Sequence, residues 1–477
     1  MSVQGFIETI NANQITGWAF DHLDPNVHQA VIVYYQGEVL KKVLANQYRE
    51  VFSKLGFGNG KCGFVFEVPP NTNSYRVVLR FEKDNRIVPR SVAPRIRRRQ
   101  TQTRINHKLT YGHPFASTTF GNAEFTSRDL EIADRLIRSY HYSLSTTDDG
   151  KIIQGQEYEA MWDNITDNYH YKAISLLKDV DVEGLAKYLF RMHKEDLVHG
   201  VSQGKTAYLA LKDREPARRA LTTIYKDRLV SLAEALGCLA VEDPEKTGSW
   251  GENLYLDVGQ LIDLINRKLK IDIIPPSIAE GLFGIDTNGG PLDQRTIDAI
   301  YAGYRISQVA GTNTSVCEIG SGLGWVAYYA HLLGIMRYTI IDLPIMNVVQ
   351  GYCLLKSLPH AQIVLPGETD SGDWSIRIYS TNDFPEFSKE DYDLFFNQDS
   401  FPEIGRNNLH SYLNSMKKLL GAKLLSINQE SQGKSGPNEN QMVVQREIHE
   451  IGGFQQICRF PHWLRVGYVE EIFQVER

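Results

Sequence analysis

The segment Ser315-Val-Cys-Glu-Ile-Gly-Ser-Gly-Leu-Gly324, followed by Tyr338-Thr-Ile-Ile-Asp342, constrains the fold more than any other part of the chain. Residues 316–319 read as a short strand that brings an acidic residue to a turn containing Gly320, Gly322 and Gly324. Residues 325–333 then read as a helix, closed by Gly334 just past its end. A second strand over 337–341 delivers Asp342 to its carboxyl end. In a strand–turn–helix–strand unit of this kind, glycines let a ligand approach the backbone and the second-strand acid receives ribose hydroxyls. Spacing narrows the ligand. The dinucleotide fingerprint GxGxxG places its third glycine where a pyrophosphate meets the helix N-terminus. Counted from Gly320 that position is Trp325, so the fingerprint fails. What remains, acidic-x-G-x-G-x-G, suits a ligand with no phosphates and a cationic amino-acid end. Glu318 would lie near that end and Asp342 would hold the ribose.

The same alternation continues to the C-terminus. Pro344 opens a helix carrying Ile345, Val348, Val349, Tyr352 and Leu355, and a strand over 376–379 ends near Asn382-Asp383. The apolar run from Tyr392 passes into polar residues at Asn397, and a helix (409–420), a strand (423–427) and a closing pair of strands follow. Alternating strands and helices predict a doubly wound α/β sheet over 306–477. Residues 126–305 read as a helical block, with amphipathic segments near 129–144, 158–177, 182–192, 215–236 and 257–269. Thr126 or Ser127 is the expected N-cap of the first. Residues 1–92 read as a β-sandwich, with strands at 29–35, 39–43, 64–68, 75–81 and 86–88 between turn signals. A basic, polar linker occupies 93–125.

The acid, three glycines and second-strand acid, in register with strand and helix, resemble motifs I and II of class I S-adenosylmethionine-dependent methyltransferases. That resemblance implies a Rossmann-like class I methyltransferase sheet with S-adenosyl-L-methionine as cofactor. Glu318, Gly320, Ser321, Gly322, Gly324, Asp342 and Leu343 would surround it, with Asn382 and Asp383 at the adenine and Asn397 in motif IV. Residues 393–404 (Asp-Leu-Phe-Phe-Asn-Gln-Asp-Ser-Phe-Pro-Glu-Ile), 424–430 (Leu-Leu-Ser-Ile-Asn-Gln-Glu) and 459–468 (Arg-Phe-Pro-His-Trp-Leu-Arg-Val-Gly-Tyr) resemble a bacterial family of sugar O-methyltransferases. This likeness covers roughly residues 125–477. The opening segment, with Ile15-Thr-Gly-Trp-Ala-Phe-Asp21 and Gly60-x-x-Gly63-Phe64, is similar to a small β module attached to bacterial glycan-processing enzymes. Together these resemblances imply O-methylation of a sugar hydroxyl in surface-polysaccharide biosynthesis, with a sugar or glycan acceptor as partner. The rivals are methylation of a non-sugar small molecule, and a glycan-binding protein that has lost catalysis. The intact Glu318, the three glycines and Asp342 argue against the last.

Catalysis of such a transfer needs a base near the end of the fourth strand or on the loops above it. Asp399 and Glu403 follow Phe396 there, His410 lies early on the next helix and His462 sits in the final loop; Asp399 and His462 are the leading candidates. Glu430 ends the fifth strand, and Trp463 and Tyr468 are positioned to stack on a sugar ring or to fill the core. The polar loop with Glu280-Gly-Leu-Phe-Gly284 and Asp286-Thr-Asn-Gly-Gly290 is expected to close over the acceptor. His199-Gly-Val-Ser-Gln-Gly-Lys-Thr206 ends like a P-loop, but histidine stands where its first glycine belongs.

Composition removes other classes. Lys plus Arg number 51 against 57 Asp plus Glu, a net charge of −6, which gives no electrostatic reason to expect nucleic acid. Five widely spaced cysteines without CxxC, and 13 histidines without HxH or HxxxH spacing, argue against a disulfide framework and a transition-metal site. No apolar run approaches the roughly 18 residues of a membrane span, and the N-terminus lacks a signal-like pattern. The expectation is a cytoplasmic protein with no integral membrane segment, open to homo-oligomerisation.

Overall fold

The structure, a computed structural model, describes residues 3–10, 13–35, 38–54, 59–70, 72, 77–86, 88, 116–145, 162, 165–241, 253–273, 275–311, 313–370, 372, 374–381, 392–430 and 441–476. The chain divides into two compact units, Met1–Gln102 and Thr103–Arg477.

The first unit holds β1 (Val3–Ile10), β2 (Gln14–Asp21), β3 (Ala30–Tyr35), β4 (Glu38–Leu44), β5 (Gln47–Tyr48), a short helix α1 (Glu50–Lys54), β6 (Lys61–Glu67) and β7 (Val78–Phe81). They form two antiparallel sheets, β1-β2-β6-β5 and β4-β3-β7. Val3, Ile7, Ile15 and Phe64 from one sheet share a core with Val31, Val33, Leu79 and Phe81 from the other. β1 and β2 precede the first strand that the sequence pattern indicates. The reason is Gly5, an inward position where a Cβ would stand 2.4 Å from the Trp18 carbonyl oxygen. A glycine at a core position breaks the apolar alternation by which a strand is read. Of the expected strand at 86–88, residue 87 lies outside the described residues; the Arg86 carbonyl accepts from the Phe81 N–H and Val88 donates its N–H to the Leu79 carbonyl, both at 2.8 Å.

The second unit opens with β8 (Thr118–Phe120) and α2 (Ser127–Ser145). A π-helical turn (Thr166–His170) leads into α3 (Tyr171–Lys178), α4 (Val182–Phe190), α5 (Lys205–Lys212), α6 (Glu215–Ala235) and α7 (Val258–Leu269). β9 (Phe283–Thr287) and β10 (Gly290–Leu292) follow, then α8 (Gln294–Ala310). The start of α2 is capped in an unexpected direction, since Asp129 Oδ2 accepts from the Thr126 N–H at 2.8 Å. The loop expected to close over an acceptor is instead a hairpin. β9 and β10 join β8 in a three-stranded sheet, with Phe283, Ile285 and Leu292 fully buried.

The remaining elements are β11 (Ser315–Ile319), α9 (Trp325–Leu332), β12 (Arg337–Asp342), α10 (Pro344–Ser357), β13 (Ile363–Val364), β14 (Ile376–Ser380), β15 (Leu394–Gln398), α11 (Arg406–Met416), β16 (Lys423–Gln429), α12 (Val444–Ile451), β17 (Phe454–Pro461) and β18 (Tyr468–Val475). They build an eight-stranded Rossmann-like sheet of order β13-β14-β12-β11-β15-β16-β18-β17. β11 to β16 run parallel, and β18 inserts antiparallel between β16 and β17. The order reverses between β11 and β15, so the crevice above their carboxyl ends is the switch point at which open α/β sheets bind ligands. Helices before the sheet and the sheet itself share one core, in which Leu136, Leu189 and Leu229 join Val316, Tyr338 and Val348. Among the described residues no helix is long and apolar enough to cross a membrane.

Candidate active site

Gly320, Gly322 and Gly324 all take positive φ, at 75°, 59° and 80°, a region that costs an L-residue about 1–2 kcal/mol. The turn they form is tied to both acids by Ser321. Its hydroxyl donates to Glu318 Oε2 at 2.6 Å and its N–H donates to Asp342 Oδ2 at 2.9 Å. Asp342 also accepts from the Leu343 N–H (2.8 Å) and from the Gln350 side-chain amide (2.5 Å). The Gly322 N–H is a further donor to this carboxylate, which lines the cavity at the carboxyl end of β12. Burial raises the Asp342 pKa, partly offset by these hydrogen bonds. Glu318 is 1% exposed and also accepts from the Tyr338 hydroxyl at 3.0 Å. Burial pushes its carboxyl up to about 8 against the bonds from Ser321 and Tyr338, with the Asp342 charge adding to the rise.

Above the turn lies a cavity of about 770 Å³, within the range of small-molecule sites. Glu318, Ser321, Gly322, Asp342 and Leu343 line one end; Arg295, Asp298, Asp399, Glu403, Arg465 and Tyr468 line the other. The helical region contributes Trp162, Thr166 and Val201. A ligand cradle is visible in two observations. A Cβ on Gly322 would find only Val201, at 3.9 Å, and Gln398 presents a buried amide oxygen that has no hydrogen-bond partner. The donor and acceptor set therefore fits a nucleoside-bearing ligand whose ribose meets Asp342.

At the far end, Asp399 sits at φ 68° and its Oδ2 accepts from Arg295 at 2.9 Å and from Arg465. Burial acts to raise its pKa, but the two guanidinium groups outweigh it and hold the carboxyl below its usual range. Glu403 behaves oppositely. Burial, reinforced by the Asp399 charge, pushes it up to about 7, against the pull of Arg295 and a hydrogen bond from Trp162.

No protein-family profile matches this chain, and no curated protein matches it. Several solved structures are similar in part. An S-adenosylmethionine-dependent methyltransferase from Aquifex aeolicus is 16% identical, with TM-score 0.27, over 37% of this chain and 89% of that one. The [4+2]-cyclase SpnF is 12% identical, with TM-score 0.30, over 46% and 95%. The ribosomal protein L11 methylase of Lactobacillus delbrueckii subsp. bulgaricus is 14% identical, with TM-score 0.25, over 39% and 80%. The Rossmann-like assignment stands on the strand order itself.

Glu318, Gly320, Ser321, Gly322, Asp342 and Leu343 converge on one end of the cavity, and Asp399 and Glu403 on the other. Gly324 shapes the turn from behind, where its Cβ would meet Leu354 at 3.1 Å. Four other residues are placed elsewhere. Asn397 is fully buried beneath the turn, donating to the Ile319 carbonyl (2.8 Å) and Ser400 Oγ (2.5 Å), so it braces the loop while Gln398 and Ser400 face the cavity. His410 pairs with Glu447 at 2.8 Å between α11 and α12, outside the cavity. His462 Nδ1 accepts from the N–H of Leu464 (3.3 Å) and Arg465 (3.1 Å), which leaves the ring proton on Nε2. Burial and the charges of Arg465 and Arg228 lower its pKa to about 3. It staples the final loop and cannot serve as the base. Glu430 pairs with Arg459 at 2.7 Å, also outside the cavity. Asn382 and Asp383 lie outside the described residues. Gln350, Arg295 and Asp298 have no motif around them; only their helical register relative to the turn brings them to the site.

The glycines differ in what they tolerate. A Cβ on Gly320 would stand 2.2 Å from Ser400 Oγ, whereas one on Gly322 meets only Val201, at 3.9 Å. Gly320→Ala is expected to lower stability by about 3 kcal/mol and Gly322→Ala by about 1 kcal/mol, measured by urea unfolding. Equal costs would mean that the turn does not close on Ser400 as described.

Proposed function

We propose that this protein is an S-adenosyl-L-methionine-dependent O-methyltransferase of the class I fold, acting on a hydroxyl of a sugar, free, nucleotide-linked or within a glycan. The observation that carries this reading is one cavity with two ends. A glycine turn with a second-strand acid forms one, and a carboxyl group with pKa near 7 stands at the other. Bound S-adenosyl-L-methionine would supply a methyl group made electrophilic by its sulfonium. Asp342 would accept from its ribose, the Gly320–Gly324 turn would lie against it, and Glu318 would sit near its amino-acid end. Glu403 takes the proton of the acceptor hydroxyl, a role for which Asp399 is too weak a proton acceptor while two arginines depress its pKa. A base with a pKa near the working pH is worth about 10²–10⁴-fold. Holding hydroxyl and donor in line can contribute about 7–11 kcal/mol more. The sugar itself rests on the resemblance of residues 393–404, 424–430 and 459–468, which also motivates a place in surface-glycan synthesis.

The test is calorimetric titration with S-adenosylhomocysteine. Wild-type protein should bind at micromolar concentration, and Asp342→Ala and Gly322→Trp should lose at least about tenfold, roughly 1.4 kcal/mol. The second variant fills the open space at Gly322, with circular dichroism to verify folding. No binding by folded wild-type protein overturns the reading. A further outcome follows from Glu318, whose pKa stands near 8 in the free protein. A cationic ammonium beside it favours its ionised form. Binding at pH 7 should therefore release protons, seen as an apparent enthalpy that varies with the ionisation enthalpy of the buffer. A buffer-independent enthalpy would place the ammonium away from Glu318.

A further inference from the structure

The acceptor end of the cavity is built from a line of alternating charges. Arg228 Nη1 on α6 meets Asp298 Oδ2 on α8 at 2.8 Å. Arg465 Nε, from the loop before β18, stands 3.9 Å from the same oxygen. Arg465 Nη1 then reaches Asp399, and Asp399 Oδ2 accepts from Arg295 Nη1 at 2.9 Å. Three arginines thus share two aspartates, and the row begins and ends on a cation. Its inner end, Arg228, is not part of the cavity wall, whereas Arg295 is. Arg295 is the most exposed member, with 34% of its side chain accessible against 12% for Arg465 and 4% for Asp298. Among the described residues, Asp399 is its only ion-pair partner. A guanidinium carries five N–H donors in a planar fork, so most of those on Arg295, a residue of the cavity wall, are uncommitted among the described residues. Arg295 lies in the first turn of α8, whose positive dipole end adds to the same field. Arg465 is fixed beside it, stacked with its guanidinium carbon 3.5 Å from the centroid of the Tyr468 ring.

We propose that the acceptor is an anionic sugar, and that its carboxylate or phosphoryl group completes the row of charges by binding Arg295, with Arg465 behind it. The identity of the reaction rests on the methyl-transfer reading above; the anion site does not. Asp399 is a positioning residue in this arrangement. Its single oxygen draws two like-charged guanidinium groups together, so that they present a joint cationic surface instead of repelling each other. Glu403 completes the logic. Its carboxyl lines the same cavity and has no ion-pair partner among the described residues, so once it has taken the hydroxyl proton the row of three arginines and two aspartates carries one surplus positive charge for the acceptor's own anion to balance. A neutral sugar would leave that surplus charge unbalanced.

The test uses the full-length protein saturated with S-adenosylhomocysteine and titrates three probes: sodium glucuronate, glucose 1-phosphate and methyl glucoside. At least one charged probe should bind about tenfold or more tightly than methyl glucoside, and its affinity should fall as salt is raised. Which one binds separates a carboxylate from a phosphoryl acceptor. Arg295→Gln should abolish the preference and Arg295→Lys should retain part of it, with S-adenosylhomocysteine affinity unchanged in both. Asp399 keeps Arg465 as a partner in these variants, so the fold is expected to survive; Tm verifies it. No preference for either charged probe in wild-type protein, or a preference that persists in Arg295→Gln, overturns the proposal. Loss of S-adenosylhomocysteine binding by the wild type would instead remove the methyl-transfer reading, while a charged-probe preference lost in Arg295→Gln would leave the anion site standing.

Discussion

Glu403→Gln is expected to lower kcat by about 10²–10⁴-fold with the acceptor in hand, while S-adenosylhomocysteine still binds as it does to the wild type. The wild-type rate should fall as pH drops below about 7, because the base must be ionised and the Glu403 pKa lies there. That limb should vanish in the variant. Stability supplies a second readout that needs no acceptor. The Glu403 carboxyl titrates at about 7 in the folded protein against a reference of 4.5, so the folded state holds the proton more tightly than the unfolded chain does. Its contribution is therefore fully present below pH 4.5 and is lost as pH rises through 7. Glutamine mimics the protonated form at every pH. The variant should match the wild type at about pH 4 and exceed it in Tm above pH 8. Activity lost together with stability gained at alkaline pH is the signature of a strained functional group. A variant with a wild-type rate and an unchanged pH limb would move the base to another residue.

Much of this site is legible in the chain because its information is local. Glu318, the three glycines and Asp342 lie within 25 residues, and strand, turn, helix and strand fix their mutual geometry with no reference to the rest of the fold. The base is different. Asp399 and Glu403 are nearly adjacent and chemically alike, so sequence ranks them by proximity to the strand end. What separates them is Arg295, 104 positions upstream of Asp399, and Arg465, 66 positions downstream. His462 looks catalytic in a polar loop next to Trp463, but two backbone N–H groups from its own loop claim its lone pair. The hairpin at 283–292 was hidden by its glycines and polar residues, which read as loop. Gly284 is in fact required there, since a Cβ would stand 2.7 Å from the Leu292 backbone. For the base the missing information is a contact between distant segments; for His462 and the hairpin it is backbone geometry within one loop or turn, which residue type alone does not carry.

Asp129→Ala should be strongly destabilising, at about 3–5 kcal/mol. Asp129 is fully buried at the start of α2, and one of its oxygens accepts both from Lys356 Nζ and from the Tyr352 hydroxyl at 2.6 Å. Its other oxygen accepts from the Thr126 N–H. Lys356 is 12% exposed in its side chain and stands 4.8 Å above the Phe190 ring of α4, so its charge has little access to water once the carboxylate is gone. Burial alone would raise the Asp129 pKa, but the bonds from Lys356, Tyr352 and Thr126 outweigh it and hold the carboxyl below its ordinary 3.8. A depressed acid stabilises the fold above its unfolded pKa and stops doing so as pH falls through the folded one. The difference between wild type and variant should therefore be constant from pH 8 to pH 5 and shrink below about pH 4. Removing both charges in Asp129→Ala/Lys356→Met should recover a substantial part of the loss, because the single variant suffers mainly from an unpaired buried ammonium. If the double variant is as unstable as the sum of the two singles, the pair is not coupled. The consequence reaches the site along α10. This helix carries Gln350, which donates to Asp342, two residues before Tyr352 and six before Lys356. Loosening the α2–α10 contact should weaken S-adenosylhomocysteine binding in the single variant, and the double variant should restore it.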